Sequence, residues 1–217
     1  YWAGADFPGH FPDLSRHHDH HQQHDRLMDE LIYIDRTFDK LVWVNQSLHG
    51  REFDGCSFRN CDFSGSDLSG NTFADCTFVD CNLGMAQLRQ TALRGVTFQN
   101  SKLIGVRFDQ AQPFLLALAF EQSVLDYANF ERLKLPKTPF NHCSLKEVIF
   151  VESQLSGSTF DGCDLAGAVF DQTDLKQCDF TTAVNYTIDP ENNSLKQARF
   201  AADGLVGLLS RYNLKIV

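Results

Sequence analysis

The segment Phe120 to Phe180 reads FEQSVLDYANFERLKLPKTPFNHCSLKEVIFVESQLSGSTFDGCDLAGAVFDQTDLKQCDF. Every fifth residue is Phe or Leu, and the two alternate without a fault from Phe120 and Leu125 to Leu175 and Phe180. The same step runs upstream through Phe53, Phe58, Phe63, Leu68, Phe73, Phe78, Leu83, Leu88, Leu93, Phe98, Leu103 and Phe108, so 25 of 25 centres are Leu or Phe. This repeat explains the skewed composition, 19 Phe beside 2 Trp, 5 Tyr and 2 Met in 217 residues.

Two residues before each centre the chain prefers a small side chain. Ala, Cys, Ser, Thr or Val fills 21 of these 25 positions, and Arg51, Asn71, Leu118 and Leu133 are the exceptions. On extended backbone, residues i and i-2 point the same way, so each block sends one large and one small side chain inward. A period of five fits neither a straight strand nor a helix of period 3.6. Each block must therefore bend, and eight of the 14 Gly lie two residues after a centre, where positive φ would turn a corner. The phase Phe38, Trp43, Leu48 extends the pattern to an N-terminal coil.

These residues resemble the pentapeptide-repeat family, whose consensus is a small residue, Asp or Asn, Leu or Phe, and two polar positions. The resemblance covers about Phe38 to Phe180. It implies an all-β fold, a right-handed quadrilateral β-helix with four pentapeptides per coil, in which Phe120, Phe140, Phe160 and Phe180 stack on one face and Leu125, Leu145 and Leu165 on the next. Residues 28–108 and 120–184 are then two sets of coils, separated by a break at 109–119.

The break, DQAQPFLLALA, shifts the phase by two residues and contains Pro113, which cannot donate to a strand ladder. It reads either as a recognition loop presenting Gln112, Pro113 and Phe114 on a rigid scaffold, or as a kink whose Phe114, Leu115, Leu116 and Leu118 plug the core. Beyond Phe180, in 185–217, Leu205, Leu208, Leu209 and Tyr212 have the spacing of one apolar α-helical face, followed by Leu214, Ile216 and Val217. Such a helix would cap the open coil end and suppress edge pairing. In the family subset that protects DNA gyrase, a similar segment caps the β-helix and forms a two-fold dimer. The look of Asn185 to Phe200 is closest to the albicidin-resistance and microcin-immunity members, then the quinolone-resistance proteins. By that resemblance Leu205, Leu208, Leu209, Tyr212, Leu214 and Ile216 form a homodimer interface.

Residues 1–27 stand apart, with six of the eight His. They read as a metal-chelating tract, or as an expression leader or solvated tail with Met28 as a plausible natural start. The longest apolar run, Phe114 to Phe120, is seven residues, and no secretory signal is visible, so neither a membrane span nor export is expected. With the resemblance, which implies a bacterial protein, the bacterial cytoplasm is the expected location. No Gly-rich phosphate loop, His-Glu-x-x-His, Gly-x-Ser-x-Gly or paired CxxC motif occurs, and no enzyme activity or cofactor is expected. The seven Cys all occupy the small inward position and read as reduced, buried thiols; His142 beside Cys143 points to the opposite face.

A net charge of -9 argues against nucleic acid or an acidic membrane as ligand. Between Phe140 and Phe180, Glu147, Glu152, Asp161, Asp164, Asp171, Asp174 and Asp179 face only Lys146 and Lys176, a net of -5. Two coils span ~10 Å, a length over which duplex DNA carries about six charges. The resemblance therefore implies a DNA-mimicking rod that binds DNA gyrase or a related type II topoisomerase through these carboxylates and relieves a poison. The consensus Asp before a centre offers a purely structural reading for Asp164, Asp174 and Asp179. A scaffolding repeat protein without a topoisomerase role is the alternative.

Overall fold

Short extended stretches carry the centres. In the computed structural model, which describes residues 29–217, β1 (Ile32–Ile34), β2 (Thr37–Asp39), β3 (Glu52–Asp54), β4 (Ser57–Arg59), β5 (Thr72–Ala74) and β6 (Thr77–Val79) each bury only their middle residue. The eight-residue β7 (Ala92–Gln99), β8 (Ala117–Glu121) and β9 (Phe140–Asn141) complete the ladder. The His-rich tract and Met28 lie outside the described residues. Pairing is parallel at an offset of 20 residues, as in Phe53↔Phe73 and Phe58↔Phe78. Single bridges such as Gln154↔Asp174 continue it where no strand is long enough to name. Strand β7 joins two sides, pairing with β5 through Leu93 and with β6 through Phe98, and Gly95 sits between them at φ +69°.

The corners fall where the period requires them. Every one of the 25 centres except Phe108 and Phe180 is followed two residues later by a residue at positive φ. All eight Gly expected there adopt it, but so do Met85, Tyr127, Lys137 and His142. Left-handed backbone at a residue with a Cβ costs ~1–2 kcal/mol, so coil-to-coil pairing must outweigh local preference at these corners.

Four blocks make one coil and four sides. The first side carries Tyr33, Phe53, Phe73 and Leu93, then Leu135, Leu155 and Leu175; the second carries Phe38, Phe58, Phe78, Phe98, Phe120, Phe140, Phe160 and Phe180. Rings on the second side stack continuously from Phe38 to Phe200 with centroids 4.6–5.5 Å apart. Phe108, Phe130, Phe150 and Phe170 form a second stack on the fourth side, and its rings meet the first edge-on, as Phe120 and Phe130 do at 5.9 Å and 86°. Leu125, Leu145 and Leu165 fill the third side. Alternation of Phe and Leu thus places ring opposite ring and Leu opposite Leu in the coils from Phe120 to Phe180.

Small inward residues have a second duty besides size. The Ser153 hydroxyl donates to the Phe130 carbonyl (2.8 Å), Thr173 to Phe150 (2.7 Å) and the Cys76 thiol to Phe53 (3.4 Å), each reaching a carbonyl 23 residues back. All seven Cys are free and buried, and burial pushes Cys76 and Cys178 up to about 12. Asn71 is buried because its side chain donates to the Leu48 and Leu68 carbonyls and accepts from the Arg51 N–H.

The break is a two-residue insertion, after which Phe98 pairs with Phe120 at an offset of 22. Of its apolar residues Ala111 and Leu118 are buried; Phe114 and Leu115 are 66% and 62% exposed.

Pairing also runs past residue 184. Asp174↔Ser194 and Asp179↔Arg199 start another coil, in which Leu195 and Phe200 keep the phase of Leu175 and Phe180. The helical cap follows, but its turns are 3-10, Ala202–Leu208 and Ser210–Tyr212, rather than α. Gly204 and Gly207 weaken α-helix here, and both lie so close to Tyr186 that a Cβ on either would collide with it. Tyr186 and Ile188 turn inward and close the coil end, with Tyr186 against Phe180 and Phe200. None of the described helices is long and apolar enough to cross a membrane.

Phe160 is fully buried between Phe140 (5.1 Å) and Phe180 (4.7 Å). Phe160→Ala is expected to cost about 3–5 kcal/mol, read by thermal or denaturant melts; an unchanged melt would contradict the ladder.

Candidate functional site

The seven acidic residues between Phe140 and Phe180 occupy different sides and do different work. Asp164, Asp174 and Asp179 stand just before a centre, where each accepts the backbone N–H two residues on: Ala166 (3.1 Å), Lys176 (3.1 Å) and Thr181 (2.9 Å). Asp62, Asp67, Asn82 and Asn129 make the same turn elsewhere. This is the self-closing turn of Asx residues, and it explains the consensus Asp or Asn without a partner.

Cations pair with four of the seven carboxylates, three of them from a neighbouring coil. Arg132 lies 3.2 Å from Glu152, Lys146 3.8 Å from Asp164, Lys176 3.8 Å from Asp174 and Arg199 3.2 Å from Asp179. Arg132 and Arg199 fall outside the Phe140–Phe180 window and reach in across one coil. Among the described residues no ion pair engages Glu147, Asp161 or Asp171. Register places Asp161 beside Phe160 on the second side, Asp171 beside Phe170 on the fourth, and Glu147 on the corner after Leu145. The acidic set is therefore spread around the rod instead of gathered in one patch.

Two further surfaces hold the other candidate residues. On the first side the loop shows Pro113, Phe114 and Leu115 to solvent, with Gln112 half-buried; Arg94 lies 5.7 Å from the Phe114 ring centre. At the C-terminal end Leu205, Tyr212, Leu214 and Ile216 are exposed, and Leu208 and Leu209 are half-buried. In 3-10 geometry residues three apart align, so Leu205 and Leu208 form one row and Val206, Leu209 and Tyr212 another. Arg211 anchors the segment to Asp189 and Glu191, both at 3.0 Å, and the Tyr212 hydroxyl donates to Glu191 at 2.8 Å. Sequence reasoning passed over Tyr186, Ile188 and Val206; the unbroken phase at Leu195 and Phe200 was the available signal that the coil resumes. Cys143 is buried and His142 exposed, so they form no pair, and no cluster suited to a metal occurs among the described residues.

A family model described as "Pentapeptide repeat region" matches residues 51–130, and one described as "Pentapeptide repeats (8 copies)" matches residues 149–184. Together they span more than half of the sequence, and the chain belongs to the pentapeptide-repeat family, whose right-handed quadrilateral β-helix it adopts. Among solved structures it is similar to two trypsin-treated variants of QnrB1, a plasmid-mediated fluoroquinolone resistance protein. One is 21% identical with a TM-score of 0.59, covering 83% of this chain and 100% of that chain. The other is 21% identical with a TM-score of 0.53, covering 86% and 91%. No curated protein matches the sequence.

Hydrogen bonds hold three carboxylates below the ordinary range: from the Ser69 hydroxyl on Asp67, the Asn185 amide on Asp164 and the Thr181 hydroxyl on Asp179. A depressed folded-state pKa stabilises the protein above the unfolded value and loses that contribution as pH falls through the folded value, so the window lies below about pH 4. Melting temperature is expected to decline from pH 5 to pH 3 (), more shallowly when all three residues are Asn. Equal slopes would contradict the turn assignment.

Proposed function

We propose that this chain is a non-enzymatic, DNA-mimicking rod that binds a type II topoisomerase, DNA gyrase or a relative, in the bacterial cytoplasm and protects it from a poison. The observation that carries the reading is the display of Glu147, Asp161 and Asp171, without internal cations among the described residues, around the C-terminal coils of a chain whose full sequence has net charge -9. Such a surface steers toward a basic cleft built for phosphates and excludes nucleic acid itself. The loop is the second contact: Phe114 and Leu115 project from a rigid wall, where two apolar side chains would serve as anchors. The fold shared with QnrB1 supports the choice of partner, while the carboxylates that close turns or pair with cations contribute only background charge.

The scaffold reading retains one observation in its favour, the structural duty of Asp164, Asp174 and Asp179. A supercoiling assay with purified gyrase and a fluoroquinolone or albicidin separates the two. The full chain is expected to restore supercoiling, and the variant Glu147→Gln, Asp161→Asn, Asp171→Asn to restore it at least several-fold less well with an unchanged melting temperature. No rescue by the wild type, or full rescue by the variant, would sink the mimicry.

Dimerisation belongs to the same proposal. Leu205, Val206, Tyr212, Leu214 and Ile216 leave an apolar surface of exposed side chains at the capped end, and a two-fold axis makes such a surface self-complementary. The paired rods would present two acidic sets about one centre. Leu205→Asp is expected to give a folded monomer in sedimentation at micromolar concentration, whereas a monomeric wild type would remove the dimer from the account.

A further inference from the structure

The first side of the C-terminal coils departs from the rest of this acidic protein. Bridges Lys134↔Gln154↔Asp174↔Ser194 align one column of it, and the backbone bonds Lys137 N–H to Ser156, Gly157 N–H to Lys176 and Gln177 N–H to Lys196 align the adjoining ones. Four exposed lysines, Lys134, Lys137, Lys176 and Lys196, therefore stand on one wall across four successive coils. Successive coils rise ~4.8 Å, so Lys134 and Lys196 are about 14 Å apart along the axis. The single acid among them, Asp174, closes its own turn on the Lys176 N–H and sits 3.8 Å from the Lys176 ammonium.

Pairing sharpens the contrast. Between Phe120 and Phe200 every basic side chain off this wall has a carboxylate: Arg132 with Glu152, Lys146 with Asp164, Arg199 with Asp179. On the wall, Lys134, Lys137 and Lys196 have no ion pair among the described residues. Two shallow clefts of about 400 and 240 Å³ flank Lys176; the first is also lined by Asp174 and by Glu191, which Arg211 pairs, the second by Lys196 and Gln197. The same side carries the exposed Phe114 and Leu115 one coil toward the N-terminus.

We propose that this wall is a docking surface for an acidic, extended peptide segment of a partner protein. Its width is one pentapeptide, which suits a single extended chain laid along the rod axis. Duplex DNA, whose major groove alone is ~12 Å wide, would overhang onto sides bearing Glu131, Asp161 and Asp171. The lysine stretch offers no aromatic platform on which single-stranded bases would stack. An acidic peptide instead places carboxylates against the lysines and side-chain amides, with room for an apolar residue at Phe114. The proposal concerns the one side that cannot imitate phosphates; it shares the exposed loop at Phe114 with the topoisomerase reading and none of that reading's carboxylates.

The test uses the full chain at pH 8, where histidines are uncharged, and a fluorescein-labelled decaglutamate peptide followed by anisotropy in low salt. Saturable binding is expected, weakening with added salt. The variant Lys134→Gln, Lys137→Gln, Lys176→Gln, Lys196→Gln should bind about 10-fold more weakly, given the modest contribution of each exposed pair. The control Arg59→Gln, Lys102→Gln, on other walls, should bind as the wild type does. Absence of binding by the wild type, equal loss in both variants, or tighter binding of a labelled deca-thymidylate than of decaglutamate would each overturn the proposal, the last in favour of nucleic acid. Supercoiling rescue is read separately, so failure here leaves the topoisomerase assay intact.

Discussion

Parallel pairing at an offset of 20 residues constrains everything else in this molecule. Once Phe53 must lie over Phe73 and Phe58 over Phe78, each inward position becomes a column whose members share size and chemistry. Stacked rings satisfy this on the second side from Phe38 to Phe200, and buried Ser, Thr and Cys satisfy it at the small positions by donating to carbonyls one coil away. The corners then adopt left-handed backbone whether or not the residue is Gly, because the columns on either side fix where the chain must turn. Even the insertion at the break obeys the rule, since the two extra residues are expelled as a loop and Phe120 returns to the column of Phe98.

Surface chemistry inherits the same columns. A carboxylate just before a centre is held by the turn it closes, while one just after a centre, such as Asp161 or Asp171, is released to solvent. Charge on a solenoid is therefore a property of columns, and a stretch with net charge -5 along the sequence becomes three acidic sides and one neutral side, to which the coils before and after it add Lys134, Lys137 and Lys196. The exposed loop of the break, Pro113 to Leu115, and the lysine wall share the first side, apart from the carboxylates proposed to meet a topoisomerase.

Much of this was legible from residues alone. The step of five located every centre from Phe38 to Phe180 though not Tyr33, Leu195 or Phe200, the small-residue rule located the inward partners, and glycine spacing located many of the corners, because all three depend on local periodicity. Asn71 was an exception to the small-residue rule whose meaning required partners 23 residues away. The charge count missed Arg132 and Arg199 because their acids lie one coil off in sequence. Tyr186 and Ile188 escaped notice since capping is decided by an open coil end, and no period announces it. The apolar spacing after Ala202 suggested α-helix, and only the close approach of Tyr186 to Gly204 and Gly207 explains why tighter turns form there.

The central functional claim is that acidic sides of this rod take the place of DNA on a topoisomerase. Its most direct test is competition for one site: gyrase carrying a fluorescent duplex is titrated with the full chain, and bound duplex is followed by anisotropy. Mutual exclusion is predicted, with displacement complete at saturation and reversed by excess duplex. A stable ternary complex, in which the chain binds gyrase while the duplex stays in place, would contradict the account.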